Sequence, residues 1–430
     1  MNVVRNDVSP LAALLDAAFG AYADRAALSD GPTRYSYRDL DRMTARLCAI
    51  LDQKEVPANA PVILLMDRGI QVIVWALAVF RRGGIVCPLD VTLPAETIRA
   101  IICKLPDPLV VADYPGGRLR ENLASLAAGG TGLLDGSAVE GGTAGGAASF
   151  RRHAAGPGDA AYLLCTSGST GTPKLVQGGQ KGLVNYILWQ LEAVGAQPGD
   201  RFSHLAPVSF DFSFKEWLVP LAGGAEVVVG ADALRFDVTS LARWISRNTI
   251  TVLCCIPFVF RQIVNALQED SPHAPWLKSC YALPRLLMIS GETLHAHPVV
   301  AWQRAMGATP ALMNLYGPTE STVIKLFNQI PYPYADASES VPLGKAIRGT
   351  RVEITDERGE VVPKGVTGQI CLVSADLALG YWDEPRLTAE KFVRTGREAT
   401  PAHATLLTGD YGYLDENENV VYGGRMDFQV

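Results

Sequence analysis

Apolar positions in this chain come in short unbroken runs separated by helical patterns. Leu11 to Arg25 shows apolar residues at helical spacing. Tyr35-Ser36-Tyr37-Arg38-Asp39-Leu40 moves from a strand into a helix that reaches Asp52. Val62 to Met66 predicts a buried strand, Gly69 to Arg82 the helix after it, and Ile85 to Pro88 the next strand. Gly83-Gly84 ends that helix, as glycine does past a C-terminus. Further buried strands are expected at Ala161 to Cys165, Val227 to Val229, Thr251 to Ile256 and Leu286 to Ile289, with a helix over Leu183 to Val194. Strand and helix in alternation predict an α/β core built on parallel sheets.

The pattern changes near Ser340. Val352 to Ile354, Gln369 to Val373 and Val420 to Tyr422 alternate as strands do, with turns at Asp356-Glu357-Arg358-Gly359 and Asp415-Glu416-Asn417. This predicts a small antiparallel or barrel-like β subdomain, giving an expected division into a 1–338 core and a 339–424 β-rich part. Residues 136–158 are rich in Gly and Ala, with few large apolar side chains, and are expected to form a mobile loop inside the core.

Composition narrows the class. The 430 residues are 48% hydrophobic, enough for a large core. The formal net charge of −6 argues against a broad nucleic-acid or anionic-membrane surface. Eight cysteines are scattered without a CxxC pair, several in apolar runs, so reduced core thiols of a cytoplasmic protein are expected. The N-terminus does not read as a signal peptide, and no apolar run reaches membrane-spanning length.

One tract carries distinctive chemistry. The run Ala161 to Cys165 breaks into Thr166-Ser167-Gly168-Ser169-Thr170-Gly171, then Pro173 and Lys174. Small residues let backbone approach a ligand closely, and their N–H and hydroxyl groups can converge on one anion. Lys174 adds a positive charge, so the tract suits a triphosphate. It is not a Walker A, since no Gly-Lys-Ser/Thr occupies the required spacing.

This tract resembles the phosphate-binding signature of the adenylate-forming enzymes, and within them the amino-acid adenylation domains of nonribosomal peptide synthetases. The resemblance runs from about Tyr35 to Val430, with at least seven motifs in the family's order. They include Gly83-Gly84-Ile85-Val86-Cys87-Pro88-Leu89-Asp90, Ser290-Gly291-Glu292, Asn314-Leu315-Tyr316-Gly317-Pro318-Thr319-Glu320, Gly380-Tyr381-Trp382, Thr408-Gly409-Asp410 and Gly424-Arg425-Met426-Asp427. Two positions depart from the family's usual Gly and His, which here are Leu175 and Gln180.

The resemblance implies residue roles. ATP would be held by Thr166 to Gly171, Lys174, Gly291, Asn314, Tyr316, Gly317, Thr319, Asp410, Tyr422 and Arg425. Tyr316 would stack on adenine, Asp410 would bind the ribose hydroxyls, Thr319 would contact the α-phosphate, and Glu320 would help hold Mg²⁺. Lys174, Thr319 and Glu320 would form the catalytic set. Asp211 would bind the α-ammonium of an amino acid; read from the residues alone it could instead cap the helix that leads to Leu218. The substrate pocket would comprise Asp211, Phe212, Lys215, Cys254, Met288, Ser290, Leu315, Gly317, Val323 and Ile324. Lys215 either snorkels to solvent or faces an acidic or strongly polar substrate side chain.

Residues 425–430 resemble the family's hinge, with Asp427 as the hinge residue. The resemblance places a C-terminal domain, carrying the lysine used in adenylation, beyond them, so the core alone is expected to be weakly active. The implied reaction forms aminoacyl-AMP, then passes the acyl group to the phosphopantetheine thiol of a carrier protein. It leaves room for a small activator protein and calls for no nucleic acid and no membrane. Two other classes stay open: a carboxylate ligase of the same superfamily making CoA thioesters, and a non-catalytic nucleotide-binding module.

Overall fold

Parallel strands covered on both faces read as unbroken apolar runs, and the computed structural model places the N-terminal runs in that setting. It describes residues 9–113, 132–137, 150–153, 155–166, 173–268, 273–335, 339–393 and 404–425. Contacts divide the chain into two units. One comprises Met1–Pro198, Pro207–Glu226 and Leu377–Thr388; the other comprises Gly199–Ala206, Val227–Asp376 and Ala389–Val430. This cut does not follow chain order. Leu377–Thr388, inside the stretch expected to be β-rich, belongs to the first unit because its short strand pairs back onto the N-terminal sheet.

The first unit opens with α1 (Pro10–Ala21), the hairpin β1 (Ala26–Ser29) and β2 (Arg34–Ser36), and α2 (Tyr37–Gln53). Ser36 starts α2 through a capping box: its hydroxyl accepts from Asp39 N–H and the Asp39 carboxylate accepts from Ser36 N–H. Then come β3 (Pro61–Leu65), α3 (Ile70–Arg82), β4 (Ile85–Leu89), α4 (Ala95–Cys103), β5 (Leu109–Ala112), β6 (Gly132–Asp135), β7 (Ala160–Thr166), β8 (Lys174–Gly179) and α5 (Gln180–Val194). Gly83 closes α3 at φ 85°, a conformation that suits glycine. The sheet order is β18-β8-β7-β4-β3-β5-β6, where β18 is Gly380–Tyr381. Pairing is parallel from β7 to β6 and antiparallel at β7–β8 and β8–β18. One face packs Ile63, Cys87, Leu163 and Leu175 against Ile98, Ile101 and Ile102 of α4. On the other, Leu64 and Val86 meet Val72, Ile73 and Ala76 of α3 and Phe214 and Trp217 of α6 (Phe214–Ala222).

Of residues 136–158, the positions 138–149 and 154 lie outside the described residues. The flanks are held: Trp75 Nε1 donates to the Gly136 carbonyl at 2.9 Å, and His153 N–H donates to the Arg82 carbonyl at 2.9 Å.

In the second unit the strands are β9 (Arg201–His204), β10 (Glu226–Val229), β11 (Val252–Cys255), β12 (Leu286–Ser290), β13 (Ala311–Tyr316), β14 (Leu326–Ile330) and β15 (Lys345–Ala346). They run in the order β15-β14-β13-β12-β11-β9-β10. The helices α7 (Val238–Asn248), α8 (Pro257–Gln268), α9 (Ala274–Tyr281) and α10 (Ala296–Met306) supply Leu241, Ile245, Phe260, Ile263, Leu277 and Trp302 to a core over Leu253, Leu287, Ile289 and Leu312. The later residues form an antiparallel sheet, β16-β17-β20-β19 with β21 on β20: β16 (Thr350–Thr355), β17 (Gly368–Ser374), β19 (Phe392–Val393), β20 (Ala404–Leu414) and β21 (Val420–Arg425). The switch to antiparallel pairing matches the change in pattern near Ser340.

Burial fixes several tyrosines in the phenol form. Tyr37 donates to the Ala225 carbonyl at 2.7 Å and Tyr281 to the Val238 carbonyl at 2.7 Å. Burial raises the pKa of both, and of Tyr316, above the ordinary phenol value. Above about pH 10 the unfolded chain releases these protons and the folded chain keeps them, so stability falls as pH rises past that point. In a spectrophotometric titration of the fourteen tyrosines, these three are expected to ionise only with unfolding. Smooth ionisation of all fourteen without loss of the fold would contradict this.

Candidate active site

In the first unit the site residues sit where strands end. Thr166 closes β7 and Lys174 opens β8, and the two are partners across the antiparallel pair. Ser167, Gly168, Ser169, Thr170 and Gly171, which connect them, lie outside the described residues. The exit of the tract is anchored: Lys104 Nζ donates to the Pro173 carbonyl at 3.1 Å, and Trp382 N–H donates to the Leu175 carbonyl at 2.8 Å. Leu175 is 1% exposed and belongs to the core against α4, which accounts for an apolar residue where the family usually has glycine. Gln180, the first residue of α5, is fully buried, and neither its amide nitrogen nor its amide oxygen has a hydrogen-bond partner. A buried amide left in that state carries a desolvation cost of about 1–3 kcal/mol.

Asp211 begins a 3₁₀ turn, Asp211–Ser213, and α6 follows directly. The capping alternative fails here. Phe210 holds the N-cap position of the turn and Ser213 that of α6, and neither caps through its side chain. Asp211 is 5% exposed. Lys215, one turn into the segment, is 1% exposed and holds its Nζ 4.7 Å from the Phe212 ring centroid. It therefore does not snorkel to solvent; it makes a cation–π contact beside Asp211.

In the second unit the register gathers the predicted pocket residues. Cys254 pairs with Met288, and Met288 with Met313, while Ser290 pairs with Leu315. Side chains of registered pairs, and of residues two apart, share a face. Cys254, Met288, Ser290 and Leu315 are thus on one face, and Leu253, Cys255, Leu287, Ile289 and Leu312 point the other way into the helix-covered core. Cys254, Ser290 and Leu315 lie at or next to the carboxyl ends of their strands, the position ligands favour in open α/β sheets, and Met288 lies mid-strand behind Ser290. Gly291 follows β12 at φ 104°.

After β13 the chain makes a tight loop closed by Lys325 N–H donating to the Tyr316 carbonyl at 2.9 Å. Thr319–Ser321 forms a 3₁₀ turn, with Ser321 Oγ donating to the Pro318 carbonyl at 2.7 Å. Thr322 and Val323 then adopt φ of 70° and 63°. Both are β-branched, so this backbone stores strain of about 1–3 kcal/mol at each. The strain presents Thr319 and Glu320, both half-buried, at the mouth of the turn, while Val323 and Ile324 are buried. Asn314, expected at the nucleotide, is 2% exposed, and its Nδ2 donates to the Pro342 carbonyl at 3.1 Å, so its side chain braces the 341–342 segment. Lys325 went unnoticed in the sequence. It is fully buried and its Nζ donates to the Asp376 carbonyl at 2.9 Å. A lone lysine between Ile324 and Leu326 was the available signal.

Asp410 is aimed by a bulge. Gln369 pairs with Tyr411 and Cys371 with Leu407, so three residues of β20 oppose one of β17. Gly409 takes φ 80° within it. Thr408 Oγ1 donates to the Ile370 carbonyl at 2.7 Å and accepts from Asp410 N–H at 3.0 Å. The Tyr316 hydroxyl hydrogen-bonds Asp410 Oδ2, and Arg425 Nη1 stands 3.5 Å from Oδ1 across the β20–β21 pair. Burial and the Asp410 charge raise the Tyr316 pKa, so the phenol donates and the carboxylate accepts throughout the physiological range. A carboxylate offers about four lone-pair sites, so one such group can accept several hydrogen bonds at once. Tyr422 pairs with Gly412 on β20 in the same sheet, and Asp427 lies outside the described residues.

The sequence pattern of the AMP-binding enzymes matches residues 15–382. The chain belongs to the AMP-binding enzyme family. It is 30% identical over 401 residues to tyrocidine synthase 2 of Brevibacillus parabrevis, covering 92% of this chain and 10% of that protein. It is 27% identical over 410 residues to tyrocidine synthase 1 of the same organism, covering 95% of this chain and 35% of that protein. It therefore spans 35% or less of the length of these relatives. Among solved structures, the AMPPNP-bound form of the nonribosomal peptide synthetase FmoA3 superposes with a TM-score of 0.84 at 25% identity, over 99% of this chain and 43% of that one. The Klebsiella oxytoca NpsA N-terminal subdomain superposes at 0.81 with 23% identity, over 99% and 100%, and shares the fold. Among the described residues of this AMP-binding enzyme, no group of three or more His, Cys, Asp or Glu could hold a metal ion. No described helix is long and apolar enough to cross a membrane.

Proposed function

We propose that this chain activates an amino acid with ATP as aminoacyl-AMP, for transfer to a phosphopantetheinyl carrier protein in nonribosomal peptide-type biosynthesis. The observation that carries the nucleotide half is Asp410, buried between Tyr316 and Arg425 on a bulge that aims it. The amino-acid half rests on Asp211, a buried carboxylate suited to an ammonium group. In the reaction a carboxylate oxygen of the amino acid attacks the α-phosphorus. A carbonyl C–O–P linkage forms, the bond to the bridging oxygen breaks, and pyrophosphate leaves. Lys174 and Thr319 would stabilise charge on the phosphates, and Glu320 would supply one carboxylate to Mg²⁺. A single protein carboxylate fits Mg²⁺, which usually arrives holding phosphates and water. Pyrophosphate loss needs positioning and charge neutralisation more than proton transfer.

The artificial NpsA-ThdA fusion joins an adenylation domain to a PCP, and by analogy the acyl acceptor here would be a carrier protein. All eight cysteines are free thiols and six are buried, which suits a reducing cytoplasm. Lys215, buried against Phe212, favours a substrate whose side chain is acidic or strongly polar.

ATP–pyrophosphate exchange over an amino-acid panel tests the reading. One acidic or polar amino acid should drive exchange well above the background, and its des-amino analogue should not. Lys215→Leu should shift preference towards aliphatic substrates. Equal exchange with the des-amino acid, and thioester formation on CoA, would favour a CoA-ligase instead. A wild type that prefers valine- or leucine-sized substrates, in an order Lys215→Leu leaves intact, would remove Lys215 from specificity.

A further inference from the structure

Lys391 stands beside the nucleotide carboxylate without a role in the reading above. It lies at the edge of the antiparallel sheet, next to β19, and is half-buried. Gly409, on the bulge that aims Asp410, has no side chain, and its φ of 80° disfavours one. A Cβ built there would lie 3.7 Å from Lys391 Nζ and 3.7 Å from Arg425 Nη2. The two cations therefore flank one small space that the glycine keeps open. Lys391 makes no ion pair with another described residue. Arg425 Nη1 faces Asp410 Oδ1 at 3.5 Å, while its Nη2 is the atom turned towards the Gly409 space. Two cations that border one space favour an anion placed within it.

We propose that Lys391 and Arg425 form an anion subsite over Gly409 that takes the phosphoryl group of the bound nucleotide. This rests on the reading of Asp410 as the ribose ligand. The subsite separates two jobs. Tyr316 and Asp410 hold the nucleoside, and Lys391 with Arg425 hold its charge. Lys391 is then a second, independent cation for the nucleotide, placed on a different strand connection from the Lys174 tract.

The test is calorimetric binding of adenosine and of AMP to residues 1–430, wild type against Lys391→Gln and Lys391→Arg. Charge-assisted contacts of partly exposed groups are modest, so Lys391→Gln should weaken AMP about five- to thirty-fold. Adenosine affinity should stay within about twofold, Lys391→Arg should restore AMP binding, and added salt should narrow the gap. Thermal melting of the variants should match the wild type, since Lys391 is half-exposed. If Lys391→Gln weakens adenosine as much as AMP, or weakens neither, the subsite is overturned. A wild type that binds neither ligand defeats the ribose reading as well, so the two failures are distinguishable.

Discussion

Asp211→Ala is expected to cut amino-acid-dependent pyrophosphate exchange by roughly 10²–10³-fold. Asp211 is 5% exposed and opens the turn into α6. It holds the N-cap position of neither element, those positions falling on Phe210 and Ser213. Removing it would leave the ammonium of a bound amino acid in a buried place without its counter-charge. Breaking a buried pair from one side costs about 3–5 kcal/mol, and each 1.4 kcal/mol is about tenfold. The loss should be specific to substrates that carry the amine. A des-amino acid gains nothing from Asp211, so its weak activity should be unchanged or slightly improved by the substitution. Exchange rates for the matched pair of acids, on wild type and variant, form a double-mutant cycle. A coupling near zero would remove Asp211 from the substrate site.

Gly317→Ala should be nearly as damaging, through shape instead of charge. A Cβ at this position would lie 2.3 Å from the Val323 carbonyl oxygen and 2.8 Å from Ile324 Cα. Both are backbone atoms of the strained turn that presents Thr319 and Glu320, so neither can rotate away. The loop must open to admit the methyl, and overpacking of this kind costs about 1–3 kcal/mol. The catalytic cost should be larger than the stability cost, since a shift near 1 Å in a positioning element can cost about 10²-fold. Exchange should fall about a hundredfold, with weaker ATP and amino-acid binding together, because Tyr316 lies before the glycine and Val323 and Ile324 after it. Gly199→Ala is the matched control: a Cβ there meets no atom within 4 Å. Equal activity of the two variants would show that the turn tolerates opening.

Local patterns were legible in the sequence because they are decided locally. The runs at 61–65 and 85–89 had to be buried strands, since no exposed element holds five apolar residues in a row at low cost. Ser36 and Gly83 mark helix ends through their own backbone and side-chain chemistry. The motif residues that resemblance placed at one site are likewise found at strand ends and turns, Cys254, Met288, Ser290 and Leu315 sharing one face.

What the chain could not disclose depends on residues far apart in it. Nothing local says that β18 leaves the C-terminal stretch to pair with β8 two hundred residues earlier, since two-residue strands carry no periodicity. Lys215 was undecided between solvent and pocket until packing buried it against Phe212. Asp211 keeps a reading as a helix cap until the N-cap of α6 is seen to fall at Ser213. Asp410, Tyr316 and Arg425 come together only because a bulge in β20 turns Asp410 towards β13 and β21. Sequence spacing specifies which face a residue occupies within its own element; which elements then meet is set by long-range pairing and burial, and that is where the chemistry of this site is made.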